Sequence, residues 1–149
     1  MKIIESSISI AAPIERVWSI LVDIGGYPEW NPFVIRASAD GDPTAVGTTM
    51  RFLVRWSTGG TARSLERIEA CEPPANGAAR WSYAYRGPLA SLGLVRGTRT
   101  QTLERTGDGT LYRSVEPFSG ALLAFVPLDA VRDGFERQAR ALRARAERR

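Results

Sequence analysis

From Val34 to Gly120 the chain breaks at Asp40-Gly41-Asp42-Pro43, Gly59-Gly60, Pro73-Pro74-Ala75-Asn76-Gly77, Gly87-Pro88 and Gly107-Asp108-Gly109, and no helical pattern fills the intervals. Successive strands at this spacing, with no crossover helix between them, must be antiparallel neighbours. The breaks predict strands over about 34–40, 48–57, 61–71, 79–86, 97–105 and 110–118. Residues 3–10 add a seventh, with Ile4, Ser6, Ile8 and Ile10 on one face and Ile3, Glu5, Ser7 and Ser9 on the other. Pro13 suits the first turn of a helix, and Ile14, Val17, Trp18, Leu21 and Val22 then recur at helical spacing to about Asp23. Gly25-Gly26 stops that helix, and the aromatic, proline-rich run from Tyr27 to Phe33 leaves room for one further helical turn.

The last segment behaves differently. Leu128, Val131, Phe135, Ala139, Leu142 and Ala146 form one apolar stripe at a period near 3.6, so Leu128–Glu147 is expected to be a long one-sided helix. Arginines cover most of its other faces, with Asp133-Arg137 and Glu136-Arg140 as expected helical charge pairs. Asp129 and Asp133 favour its start, and Arg148 and Arg149 favour its end. Strands followed by one long amphipathic helix give an α+β fold in which a curved seven-stranded sheet wraps a single helical stripe, with two short helices after the first strand. One stripe cannot fill such a sheet, so a ligand cavity is expected between sheet and helix. The 149 residues suffice for one domain, 1–149.

The composition removes several chemistries. There is no histidine and only one cysteine, Cys71, which excludes His-based triads, an internal disulfide and the usual Cys/His metal sites. No metal and no cofactor is therefore expected, and Cys71 reads as core. Gly25-Gly26 lacks the Lys-Ser/Thr of a phosphate loop. The net charge is +4, with Lys2 the only lysine among 20 cations. The basic residues cluster only on the terminal helix, which reads as a solvated face, and no nucleic-acid partner is expected. No apolar run is long enough to span a membrane, and no signal segment follows Met1, so the expectation is a cytoplasmic protein without a membrane partner, monomeric or homodimeric.

The segment Ala12-Pro13-Ile14-Glu15-Arg16-Val17-Trp18, followed by Asp23-Ile24-Gly25-Gly26-Tyr27-Pro28-Glu29-Trp30-Asn31-Pro32-Phe33, resembles the opening of the START-like, or SRPBCC, superfamily that includes the polyketide cyclase/dehydrase proteins. Gly109-Thr110-Leu111-Tyr112, Glu116-Pro117-Phe118-Ser119-Gly120 and the terminal helix are similar to that family's closing half. The resemblance implies a helix-grip fold and an apolar, aromatic or polyketide-like small-molecule ligand. It does not specify a reaction, because the superfamily includes cyclases, lipid carriers, hormone receptors and stress proteins. One departure stands out. Many members of the subgroup carry Gly-x-His-x-Phe-x-Leu on the penultimate strand, where this chain has Gly97-Thr98-Arg99-Thr100-Gln101-Thr102-Leu103.

Strand parity places Arg99 and Gln101 on the concave face with Leu103, and Tyr112, Ser114, Glu116 and Phe118 together on the next strand. A buried carboxylate needs a partner, and Arg99 is the expected partner of Glu116, either as a structural pair or as a catalytic one. Trp81, Tyr83 and Tyr85 line one face of their strand and Trp56 continues the Met50-Phe52-Val54 alternation; each reads either as core or as cavity wall. Trp30 and Phe33 are candidates to close one mouth, and Leu89–Val95 is a candidate apolar lid. For an enzyme, the resemblance implies cofactor-independent cyclisation, dehydration or isomerisation, with Glu116 as acid/base, Arg99 as electrostatic stabiliser and Tyr83 and Tyr85 as orienting donors. The alternative is a non-catalytic carrier, sensor or sequestering protein with the same cavity.

Overall fold

A computed structural model describes residues 1–148; the charge expected from Arg149 lies outside the described residues. The strands are Lys2–Ile10 (β1), Val34–Ala39 (β2), Thr49–Arg55 (β3), Thr61–Ala75 (β4), Ala78–Tyr85 (β5), Arg96–Thr106 (β6) and Gly109–Ser119 (β7). They form one antiparallel sheet in the order β1-β7-β6-β5-β4-β3-β2. Helix α1 spans Ile14–Val22, α2 is a single turn at Pro88–Ser91, and α3 is the long terminal helix Leu128–Glu147. Short 3-10 turns occupy Ile24–Glu29 and Leu123–Phe125. The helix-grip arrangement expected from the element order is thus the one observed. No helix among the described residues is long and apolar enough to cross a membrane.

The expected strand 61–71 runs four residues further, through Pro73 and Pro74. A register shift between Glu72 and Ala75 places both prolines in a bulge, where no ladder donor is needed, and the turn narrows to Asn76-Gly77, both at positive φ. Sequence punctuation pointed to a turn beginning at Pro73 because it cannot distinguish a bulge from a chain reversal.

Helix α3 buries Val131, Phe135, Ala139, Leu142 and Ala146 as its stripe predicts, while Leu128 is only half-buried. Asp133 pairs with Arg137 at 2.9 Å; Glu136 and Arg140 do not come within ion-pair distance. The helix end is clamped. Arg16 Nε donates to the Ala146 carbonyl at 2.6 Å and its Nη2 to the carbonyls of Arg148 (2.8 Å) and Arg145 (3.2 Å), satisfying acceptors that a helix terminus leaves open.

Gly134 faces the sheet, and a Cβ there would collide with the Phe33 ring. That ring is held between Trp56 (centroids 5.9 Å) and Phe135 (6.0 Å), so it has little room to yield. In an open helix, Gly→Ala would stabilise by about 1 kcal/mol. Here Gly134→Ala is expected to destabilise by about 1–3 kcal/mol through overpacking. Urea unfolding decides the sign, and a gain in stability would show that Phe33 swings aside freely.

Candidate functional site

Between the β3–β7 part of the sheet and the first half of α3 lies a cavity of about 370 Å³, within the range that accommodates small ligands. Its walls are largely aromatic, drawn from Phe33, Phe52, Trp56, Tyr85, Phe118 and Phe135. Phe33 reaches it through a local turn: buried Asn31 accepts through Oδ1 from the backbone N–H groups of Phe33 (3.0 Å) and Val34 (2.9 Å). Tyr85 ends β5 with its hydroxyl against Gly87, where any Cβ would collide with it. The rim is formed by two loops tied together, Leu122 N–H donating to the Leu94 carbonyl at 2.9 Å. Leu89 and Val95 from the candidate lid segment line the cavity, and Leu92 and Phe125 stand 72% and 82% exposed.

The polar end is built by alternate residues of four strands. Arg99 is buried, and its Nε donates to Ser114 Oγ at 2.7 Å. Its Nη1 donates to Gln138 Oε1 (3.1 Å) and Tyr83 Oη (3.3 Å), and Nη2 reaches Tyr112 Oη at 3.5 Å. The guanidinium lies 3.8 Å from the centre of the Phe135 ring. Behind it, Tyr112 Oη donates to Gln101 Oε1 at 2.5 Å and Gln101 Nε2 donates to Tyr83 Oη at 3.2 Å. Tyr83 Oη therefore accepts twice, and its own proton has no acceptor among the described residues. Burial pushes the Tyr83 phenol above its usual pKa, so that proton is retained.

The β6–β7 register, Gly97 opposite Phe118 and Thr100 opposite Val115, sets Arg99 across from Glu116 as expected. The expected ion pair nevertheless does not form: no Arg99–Glu116 contact lies within 4.0 Å, because neutral oxygens have taken the guanidinium's hydrogens. Glu116 sits over Gly97, whose missing side chain leaves space for the carboxyl. Burial, reinforced by the charge of Glu66, pushes Glu116 up to about 8 despite the opposing pull of Arg99.

Glu66 is a candidate-site residue that the sequence reading passed over. It lies on β4 with one oxygen accepting from Ser64 Oγ at 2.5 Å and the other, Oε2, buried without a partner. Burial raises it to about 7. The available signal was parity: Ala62, Ser64, Glu66 and Ile68 share a face, opposite the more highly charged Arg63, Arg67 and Glu69. Gln138 was missed for a related reason, since it lies on the buried stripe of α3 but is not apolar.

The remaining candidates fall into two groups. Phe33, Trp56, Tyr83, Tyr85, Arg99, Glu116 and Phe118 meet at the cavity. Gln101, Tyr112 and Ser114 lie in the layer behind, holding Arg99 and Tyr83. Trp81 is fully buried and donates to the Pro43 carbonyl at 3.0 Å, away from the cavity lining. Trp30 packs edge-on against Tyr27 at 5.2 Å, with Phe33 instead reaching the cavity.

One antiparallel sheet closed by a long helix over an apolar cavity, with a few polar groups at one end, defines a helix-grip protein of the START-like type. The chain belongs to the family described as polyketide cyclase / dehydrase and lipid transport, which it matches over residues 1–147. Among solved structures it is similar to the Zhui aromatase/cyclase from a Streptomyces species, with 17% identity over 99% of this chain and 94% of that one and a TM-score of 0.74. It is also similar to a START superfamily protein from Mycobacterium smegmatis, with 20% identity, 97% of each chain covered and a TM-score of 0.70. A hypothetical protein from Helicobacter pylori shares 13% identity over 97% of this chain and 88% of its own, at a TM-score of 0.75. These likenesses establish the shared fold. No curated protein matches the chain in sequence.

Proposed function

We propose that the cavity binds an apolar, aromatic or polyketide-like small molecule and that Glu116 moves a proton on it, in a cyclisation, dehydration or isomerisation. The observation that carries the reading is that Glu116 lines the cavity with no hydrogen bond or ion pair to any described residue. A carboxyl poised near neutral pH can both take and return a proton. Tyr83 supplies its uncommitted hydroxyl hydrogen to a ligand carbonyl, and the positive charge of Arg99, which lines the same cavity, favours the enolate that proton removal would create. The aromatic walls exclude water and orient the carbon skeleton.

The test is a thermal-shift screen of neutral aromatic polyketides, fatty acids and sterols, followed by product analysis for any ligand that binds. Stabilisation by the aromatic class is expected in the wild type and is expected to vanish in Ala62→Phe, which fills the cavity. Turnover should fall about 10²–10⁴-fold in Glu116→Gln. Binding without turnover would leave a carrier or sensor. If nothing binds and nothing co-purifies, the small-molecule reading fails in favour of a protein partner.

A further inference from the structure

The polar end of the cavity holds two buried acids and one buried base; the other cation in the lining, Arg63, is exposed. The base is already provided for: Arg99 places its hydrogens on Ser114, Tyr83, Gln138 and Tyr112, and its face lies on Phe135. The fold has thus placed neutral acceptors on its own cation and left Glu66 Oε2 and the Glu116 carboxyl open. Glu66 Oε2 is buried with no partner, although Glu66 is 91% buried and borders the cavity. Glu116 has no partner at all among the described residues, and no arginine or lysine lies within 4.0 Å of either carboxyl. Full ionisation would leave one negative charge uncompensated in a largely apolar space, which costs heavily unless a proton or a cation balances it.

We propose that the ligand of this cavity carries a basic nitrogen, and that its ammonium group sits between Glu66 and Glu116 with its aromatic body against Phe33, Trp56 and Phe118. The inference deepens the proposed function and rests on the same cavity being a ligand site. An ammonium supplies what the site lacks: hydrogen-bond donors for the open carboxylate oxygens and one positive charge. Aromatic faces around the cavity favour a cation further. A neutral hydroxyl could fill the hydrogen bonds but would leave the charge to be balanced by a proton. The two cases therefore differ in proton count. Binding of an ammonium releases the protons that the two carboxyls otherwise hold; the other ionisable groups lining the cavity are the phenols Tyr83, shifted upward by burial, and Tyr85 on β5, and the cations Arg99 on β6 and Arg63 on β4, while α3 presents Phe135 and Gln138.

The experiment is isothermal calorimetry of the intact protein with 2-naphthylmethylamine and its neutral counterpart 2-naphthylmethanol, at about pH 6 and about pH 8.5, in buffers of different ionisation enthalpy. The amine is expected to bind at least about 10-fold more tightly at the higher pH and to release up to about two protons at the lower. The alcohol should show no such gain. Glu66→Gln and Glu116→Gln should each remove most of the amine's advantage over the alcohol. If the alcohol binds as well as the amine at about pH 8.5, or the amine's affinity is flat with pH, the ammonium assignment is overturned while the cavity remains a ligand site. If neither probe binds, both readings fall.

Discussion

Glu116→Gln is expected to make the protein more stable in mild alkali, by a margin that disappears in mild acid. The Glu116 carboxyl has a folded-state pKa raised from 4.5 to about 8, chiefly by burial. Its stabilising protonated form is fully present below the unfolded value and is lost as pH rises through the folded one, at about 1.4 kcal/mol per pH unit while the two states differ. Glutamine fills nearly the same volume and cannot ionise. Urea unfolding at about pH 5 should therefore give similar stabilities for wild type and variant, and at about pH 8.5 the variant should lead by a few kcal/mol. Glu66→Gln should behave the same way with its window centred lower, since Glu66 rises to about 7. A variant that is equally stable or weaker at the higher pH would mean that the carboxylate is better solvated than its burial implies.

Arg99→Met should show the opposite pH dependence. The guanidinium is the one cation buried beside two acids, and its removal also leaves Ser114, Tyr83 and Gln138 without their donor. At about pH 8.5, where the carboxyls are ionised, the cost is expected to be about 3–5 kcal/mol. At about pH 5.5 both acids are neutral, the charge of Arg99 has nothing to balance, and the cost should shrink to that of the lost hydrogen bonds. Chemical unfolding at the two values measures the difference. Equal costs would show that Arg99 acts only through its hydrogen bonds and packing.

The fold was legible because each of its elements announces itself locally. Turn signals separated β2 to β7, and the stripe from Val131 to Ala146 marked α3. The concave positions of Arg99, Tyr83 and Glu116 followed from parity alone, which is insensitive to small errors at strand ends. The failures share a cause. Pairing Arg99 with Glu116 assumed that opposite charges on neighbouring strands must meet, but the hydrogen bonds of Arg99 are settled by Gln138 on a helix 39 residues away, which no strand pattern can show. Glu66 was passed over because strand reading looks for apolar alternation, and its face mixes Ala62, Ser64 and Ile68. Trp30 and Phe33 differ only by the Asn31 turn that sends one ring to Tyr27 and the other to the cavity.

Helix α3 is fastened at its C-terminal end and at its middle. Beyond Ala139 it is locked by Arg16 and by Glu147, whose Oε1 accepts from the Ala11 backbone N–H at 2.9 Å, so the first and last thirds of the chain close over each other. Its opposite end, at Pro127, has no side-chain cap and borders the mouth, where Phe125 lies open. Arg137 donates to the carbonyls of Pro32 and Arg55 at 3.0 Å each, so the helix is pinned from its middle onward and the stretch carrying Val131 beside the mouth lies ahead of those pins. What holds the helix to the rest of the fold and what borders the cavity mouth are thus set apart along a single helix, and a substitution at Phe125 or Leu128 touches none of the clamping contacts.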